Sequence, residues 1–265
     1  MLAVLVGSCV PWCVRPVLGA TSPDTLIQVL FGDLPSTDAE DANGDGTLTI
    51  ADVLVFGPPV LFAGTAAEFV PHDLGDQLVY RITDPLGVVS TETTLITSSA
   101  AGGVFVLDDQ EVDGHQKVIK HETQTYTDTG AQLFFSGGTD EVLKLVTTCS
   151  PPLLRLTTPL LAGQMSSTTT HCIVTFSNGV LVGDIDRTDS FTPIDIVDSV
   201  TVPAGIYTNA VHVSGHTKLT GGADETDEFY FVPGIGAILQ LSTAGGQTTR
   251  HELIGGVIGG VPVGQ

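Results

Sequence analysis

Between residues 67 and 254 the chain repeatedly alternates apolar and polar residues, and this period of two constrains the fold more than any other feature. The segments DQLVYRIT, GVFVLDDQEV and DEFYFV are examples, and Gly, Pro, Asn or Asp separates each segment from the next. A period of two places successive side chains on opposite faces of an extended strand. We therefore predict a mainly β fold in which a long antiparallel meander curves into a half-barrel.

Local signals add detail to this domain. The dipeptides Asp113-Gly114 and Asn178-Gly179 lie between strand segments and are typical of type I′ hairpin turns. The connector at residues 58–66 is rich in Gly, Pro and Ala, and the Gly-rich tail at residues 255–265 is predicted to be a loose end.

The charge balance excludes one class of partner. The chain has 30 acidic and 9 basic residues, which gives a formal net charge of -21. Such a surface repels the phosphates of nucleic acids and anionic lipid headgroups. We therefore expect no nucleic-acid binding, and no segment after residue 20 is long and apolar enough to predict a transmembrane span.

The first 20 residues, MLAVLVGSCVPWCVRPVLGA, resemble a secretory signal that ends in small residues. A minor alternative takes VGSC as a lipid-attachment motif that would anchor the chain through Cys9. Cleavage after Ala20 would leave two cysteines, Cys149 and Cys172. In an oxidising compartment they predict a disulfide, with two buried thiols as the alternative.

The stretch DANGDGTLTIAD, residues 41–52, matches a twelve-residue calcium loop. Gly46 stands where such a loop turns sharply. The predicted ligands carry oxygen donors and are Asp41, Asn43, Asp45, Thr47, Thr49 and Asp52. We predict that they bind Ca²⁺, and the alternative is an acidic turn that matches by chance.

The loop continues into an apolar segment, IADVLVFG, and an earlier segment, SPDTLIQVLFG, repeats that pattern. Residues 21–57 thereby resemble one repeat of a type I dockerin, a calcium-stabilised helical module that binds cohesin domains. The resemblance implies a small α-helical calcium module and a cohesin-like or other extracellular protein partner. Dockerins use two repeats for cohesin, whereas this chain has one complete loop, so a calcium-stapled module is the safer prediction.

A second resemblance lies in the β domain. TVPAGIYTNAVHV followed by EFYFVPGIGAILQL resembles secreted and periplasmic bacterial domains that are relatives of the lipoprotein-carrier half-barrels. That resemblance implies a curved sheet around helices or an apolar groove, and hence a lipid or other hydrophobic ligand. The Pro-Ala-Gly and Pro-Gly-x-Gly turns themselves predict hairpin geometry.

Other sets of polar residues are interpreted as structural. These sets are the histidine pairs His212/His216 and His115/His121, the loop-like series Asp109, Glu111, Asp113, Gly114 and Lys120, and the acids Asp184, Asp186 and Asp189. A turn is predicted within the first histidine pair, and Lys120 stands where a calcium loop needs a carboxylate. The three aspartates are predicted to be solvated loop acids rather than a cation cluster.

The sequence carries no G-x-S-x-G motif, and the chain after residue 20 has no Trp to form a sugar platform. Tyr80, Tyr126, Tyr207 and Tyr230 are predicted to pack in or across strands. We predict a secreted, calcium-binding, non-enzymatic binding or assembly protein of the bacterial envelope or exterior. The alternatives are a carrier of a hydrophobic ligand and a dockerin-bearing polysaccharide hydrolase, which would need a cleft with two carboxylates of raised pKa.

Overall fold

The structure is a computed structural model that describes residues 60–222 and 224–264. The predicted signal at residues 1–20, the calcium module at residues 21–57 and all six predicted calcium ligands lie outside the described residues. Within the described ranges, no helix is long and apolar enough to cross a membrane.

Most of the described chain is strand. The strands are β1 Val60–Phe62, β2 Gln77–Thr83, β3 Val89–Ala100, β4 Val104–Val112, β5 Val118–Asp128, β6 Gln132–Asp140, β7 Leu145–Thr157, β8 Leu160–Leu161, β9 Ser166–Phe176, β10 Leu181–Val202, β11 Gly205–Leu219, β12 Glu225–Val232, β13 Gly236–Ala244, β14 Gln247–Ile258 and β15 Val261–Val263. One 3-10 helix spans Ala66–Phe69. The mainly β, antiparallel prediction is confirmed.

The predicted half-barrel is wrong, because the sheet closes. Strands β2 to β7 and β9 to β14 pair in antiparallel sequence, and β14 pairs with both β2 and β13. The result is a closed barrel of 12 strands. Closure removes the two exposed edges that a half-barrel would leave unpaired. Alternation predicts strands and their faces, but it carries no signal for whether the first and last strands meet.

One end of the lumen is filled by the chain itself. We call residues 61–71 the plug; its 3-10 helix buries Ala66 and Phe69 completely. The Phe69 ring packs edge-on against Phe62 and Phe231, with ring centroids 4.3 and 5.5 Å apart. The plug joins the larger of two hydrophobic cores, where strands β3, β4, β6, β7 and β10 to β12 contribute side chains.

Hairpins at this end hold the plug by its backbone. The Ala66 amide donates to the Gly130 carbonyl at 2.8 Å, and the Gly234 amide donates to the Glu68 carbonyl at 2.7 Å. Gly236 has a φ of 113°, and a Cβ there would lie 3.1 Å from Pro71. The Pro-Gly-x-Gly turn between β12 and β13 therefore needs glycine both for its backbone conformation and for its approach to the plug.

The two predicted hairpins exist, but their turns are not type I′. In the first, the Gln116 amide donates to the Asp113 carbonyl at 3.0 Å, and Gln116 is the left-handed residue with φ 62°. In the second, the Gly179 amide donates to the Phe176 carbonyl at 2.8 Å, and Gly179 has φ 86°. Both are three-residue loops built on a type I turn followed by one left-handed residue.

Several boundaries differ from the sequence prediction. Residues 255–263, assigned to a loose tail, form the end of β14 and the short β15, which pair with each other. Part of the predicted connector forms β1, which pairs with β8. The predicted disulfide between Cys149 and Cys172 is confirmed; it joins directly opposed residues of β7 and β9.

Candidate functional site

The space left in the lumen beside the plug is the candidate site. This inner cavity has a volume of about 310 Å³ and is partly open to solvent. Its floor is apolar and includes Phe69, Phe191, Phe229 and Phe231. Phe229 and Phe231 stack with their ring centroids 5.4 Å apart. A cavity of this size lies at the lower end of the range of small-molecule sites.

Opposite this floor, strands β3, β4 and β5 present charged side chains to the lumen. We call Glu92, Asp109, Lys120 and Glu122 the acidic wall. Lys120 Nζ lies 3.2 Å from Glu92 Oε1 and 3.4 Å from Glu122 Oε2. His251 on β14 approaches Glu92 from the other side, with Nδ1 at 3.5 Å from Oε2. The wall thus has three carboxylates around one lysine.

The two most buried carboxylates of this wall have opposite pKa shifts. Burial pushes the pKa of Glu92 upward, but the hydrogen bond from His251 and the charge of Lys120 outweigh it and hold the pKa below its ordinary value. Burial, reinforced by the negative charge of Glu92, raises the pKa of Asp109 to about 7. The neighbouring carboxylates outweigh burial at Lys120 and raise its pKa. Lys120 and Glu92 therefore carry charge at neutral pH, whereas Asp109 titrates there.

Asp109 is 8% exposed and has few partners for its second oxygen. Oδ1 accepts a hydrogen bond of 2.5 Å from the Thr94 hydroxyl. Oδ2 has only the Gln124 amide at 3.4 Å, beyond the usual hydrogen-bond length of about 2.7–3.2 Å. In the described part of the chain, no basic side chain lies within 4.0 Å of this carboxylate. Asp109 is thus a buried acid that forms no ion pair within the described ranges, and the charge of Lys120 offsets its raised pKa only in part.

A second charged group lies on strands β7 and β10. Asp189 is fully buried and accepts hydrogen bonds from both Arg155 and Arg187, with Arg187 Nε at 2.8 Å from Oδ1. Burial raises the pKa of Asp189, but the two guanidinium groups outweigh this and hold the pKa below its usual value. Arg155 also lies 5.3 Å from the centre of the Phe191 ring. This cluster is internally paired and stays charged.

Arg155, Gln124 and Tyr126 also line a second cavity of about 340 Å³, together with the disulfide. The Tyr126 hydroxyl donates to Gln124 Oε1 at 2.7 Å, and the Tyr126 ring stacks on Phe105 at 5.5 Å. The three side chains therefore border both cavities. Their polar groups therefore lie at the boundary between the inner cavity and the second cavity.

The sequence-predicted histidines lie outside the lumen. His212 and His216 belong to one uninterrupted strand, β11, so the predicted turn between them is wrong. His212 is stacked on Tyr230 at 4.7 Å and contacts Asp195 and Glu228 at 3.3 and 2.7 Å. His121 contacts Asp108 at 3.2 Å. Across the described ranges, no three His, Cys, Asp or Glu side chains are grouped to hold a metal ion.

The three aspartates predicted as solvated loop acids lie on strand β10. Asp184 and Asp186 are exposed and each contacts a ring nitrogen of His171 at 3.0 Å. The predicted loop is therefore wrong for all three residues, and the predicted solvent exposure is wrong for Asp189, which is buried. Asp189 follows Asp186 by three residues, and an odd separation places two side chains on opposite faces of a strand. This spacing predicts that Asp186 and Asp189 face opposite sides of the sheet.

The acidic wall was also missed. The sequence pattern predicts Asp109 and Lys120 only as parts of a hairpin, and that hairpin exists. However, Asp109 lies two and four residues after the buried Leu107 and Phe105, on the same face of β4. A carboxylate that shares one strand face with buried apolar residues is the sequence pattern that predicts a buried acid such as Asp109.

Comparisons with known proteins support the fold. No family model and no curated protein matches the chain. A crystal structure of a candidate lipoprotein from Parabacteroides distasonis covers 72% of this chain and 98% of its own, with a TM-score of 0.53 at 11% identity. A crystal structure of a candidate exported protein with a YmcC-like fold from Bacteroides fragilis covers 70% and 97%, with a TM-score of 0.48 at 11% identity. The first likeness shows a shared β fold.

Proposed function

We propose that this chain is an exported, non-enzymatic binding protein of the bacterial cell envelope or exterior, and that its barrel lumen receives a small ligand. The inner cavity carries the proposal, because it combines an aromatic floor with a buried carboxylate, Asp109, that forms no ion pair among the residues the structure describes. Export is supported by the signal-like residues 1–20 and by the disulfide, which is typical of oxidising compartments. The candidate lipoprotein with the same fold agrees with this location.

The lumen favours a small ligand over a large lipid. A lipid carrier needs a long apolar groove, whereas here the plug fills one end of the barrel. The inner cavity holds about 310 Å³ and the second cavity about 340 Å³, and charged side chains line both. Small-molecule sites are mostly apolar with a few polar groups that orient the ligand, and the inner cavity has that composition.

The enzyme alternative rests on one observation. Two carboxylates with oppositely shifted pKa values, Glu92 and Asp109, line the same cavity, which is a pattern of acid–base pairs. Glu92, however, is held by Lys120 and His251, and a cavity of about 310 Å³ has the size of a small-molecule site rather than of a polymer-binding cleft. Hydrolysis of aryl glycosides that is lost in Asp109→Asn would establish the enzyme alternative and refute a purely binding role.

A fluorescent titration tests the proposed site. N-phenyl-1-naphthylamine, a neutral probe that brightens in apolar surroundings, is added to the full chain, to Thr94→Phe and to Thr93→Phe. Thr94 lines the inner cavity, and Thr93 lies on the opposite face of the same strand. We expect saturable binding to the wild type and Thr93→Phe, and weak binding to Thr94→Phe. Equal binding to all three proteins would refute a lumenal site.

A further inference from the structure

The inner cavity has a charge pattern that selects among ligands. Glu92, Asp109 and Lys120 of the acidic wall line this cavity, whereas Glu122 lines the second cavity and contacts Lys120 from there. Glu92 and Glu122 both contact Lys120, so that lysine is already shared. Asp109 is left as the carboxylate with no cation within 4.0 Å among the described residues.

The less well paired oxygen of Asp109 is Oδ2, because Oδ1 accepts a hydrogen bond of 2.5 Å from Thr94, whereas the Gln124 amide lies 3.4 Å from Oδ2. The residue is more than nine-tenths buried and lines the cavity. A buried carboxylate is costly when it is ionised without a partner. A cation that enters the cavity would relieve this cost, and an anion would increase it.

The aromatic side chains of the cavity determine which apolar group the ligand carries. Phe229 and Phe231 form a stacked apolar surface, and Phe69 of the plug closes the floor beside them. Aromatic faces attract ammonium groups and pack against alkyl chains. With about 310 Å³ available, the apolar part is a short alkyl chain or an aromatic group no larger than the naphthylamine probe.

We propose that the inner cavity binds a small primary amine with a short apolar tail, with its ammonium group at Asp109 Oδ2 and its tail against Phe229 and Phe231. This inference rests on the proposed function, because it names the ligand class for that lumenal site. An ammonium group donates a charge-assisted hydrogen bond to Oδ2, which is shorter and stronger than the present 3.4 Å contact with the neutral Gln124 amide.

Three probes of one length test the ligand class on the full chain. Hexylamine, hexanol and hexanoate are titrated by calorimetry at pH 8. We expect hexylamine to bind at least about tenfold more tightly than hexanol, because the neutral alcohol makes no charge-assisted bond, and hexanoate not to bind. Equal affinity for hexylamine and hexanol would overturn the ammonium proposal.

Two variants locate the ammonium. Asp109→Asn keeps the shape of the side chain and removes its charge, so the preference for hexylamine over hexanol should fall to near unity. Asp108→Asn, on the opposite face of β4, should keep the preference. An unchanged preference in Asp109→Asn would overturn the proposal.

The outcomes separate this inference from the proposed function. If the naphthylamine probe binds in the lumen and none of the hexyl compounds does, the ligand class is wrong and the lumenal site stands. If the probe and all hexyl compounds fail to bind, both the inference and the proposed function are wrong.

Discussion

At the scale of single residues, the ionisation of Asp109 makes the stability of the folded state depend on pH. Burial raises its pKa to about 7 from an ordinary value of 3.8. The folded protein therefore holds this proton more tightly than the unfolded chain does. The contribution of Asp109 to stability is fully present below about pH 4 and is lost as the pH rises through about 7.

The upward shift of the Asp109 pKa predicts how the stability of the variant Asp109→Asn depends on pH. The amide cannot ionise and can keep the hydrogen bond from Thr94. We expect the variant to melt at a higher temperature than the wild type at pH 8, and the difference to shrink or reverse at pH 5. Thermal melts at both pH values measure it. Asp108→Asn is the control, and a difference in melting temperature that does not change with pH would contradict the prediction.

Gln116 offers a second residue-scale test. It adopts φ 62° at a loop position that Gly179 occupies in the equivalent hairpin. The left-handed conformation costs a non-glycine residue about 1–2 kcal/mol. We expect Gln116→Gly to stabilise the protein by up to about 1 kcal/mol, after the entropy that glycine gains on unfolding is subtracted.

The reverse substitution supplies the matched control. Gly179 has open space around its Cβ position, so Gly179→Gln tests backbone strain alone. It should destabilise the protein by about 1 kcal/mol in chemical denaturation. If both substitutions changed stability in the same direction, the assignment of the two left-handed positions would be wrong.

At the scale of elements, the plug determines how much of the lumen is left. Phe69 is 1% exposed and contacts Phe62 and Phe231. Truncation of a buried phenylalanine costs about 3–5 kcal/mol, so Phe69→Ala should lower the free energy of unfolding by that amount. Phe176→Ala, at a residue that is 44% exposed, should change it by less than about 0.5 kcal/mol. Similar losses in both variants would contradict a buried plug.

The elements also show what sequence could predict. Strand segments such as DQLVYRIT and DEFYFV became β2 and β12 because alternation sets their two faces. Alternation is interrupted within β10, yet the structure has one continuous strand of 22 residues there. The charged residues inside this strand suggest exposure, but Arg155 and Arg187 neutralise Asp189 within the lumen. A local sequence pattern carries no information about which distant strands pair.

At the scale of the whole molecule, closure creates the site. A half-barrel would leave Asp109 and Glu92 on an open concave face, where water would solvate both. The pairing of β14 with β13 and β2 completes the wall, and burial then raises the pKa of Asp109. Closure depends on contacts between residues 77–83 and 250–257, which are far apart in sequence, so the candidate site could not be predicted from local motifs.

The calcium loop remains a prediction at this scale. Asp41, Asn43 and Asp45 begin a full series of oxygen ligands. We expect calorimetry on the full chain to show saturable Ca²⁺ binding that is lost in the double variant Asp41→Ala/Asp45→Ala. Asp184→Ala/Asp186→Ala, which removes an exposed acidic pair, should leave the binding unchanged. Loss of binding in the second variant alone would refute the loop assignment.

The most direct test of a closed, ligand-binding lumen is the titration of the Asp109 side-chain carboxyl by carbon-13 NMR, with and without saturating hexylamine. The groups that face this carboxyl are Glu92 and Thr94 from β3, Lys120, Glu122 and Gln124 from β5, Tyr80 from β2 and His251 from β14. The account predicts a midpoint near 7 in the free protein, with a lower midpoint when the ammonium group is bound. A midpoint near 3.8 in the free protein would contradict the buried wall, and a midpoint unchanged by hexylamine would contradict the ligand site.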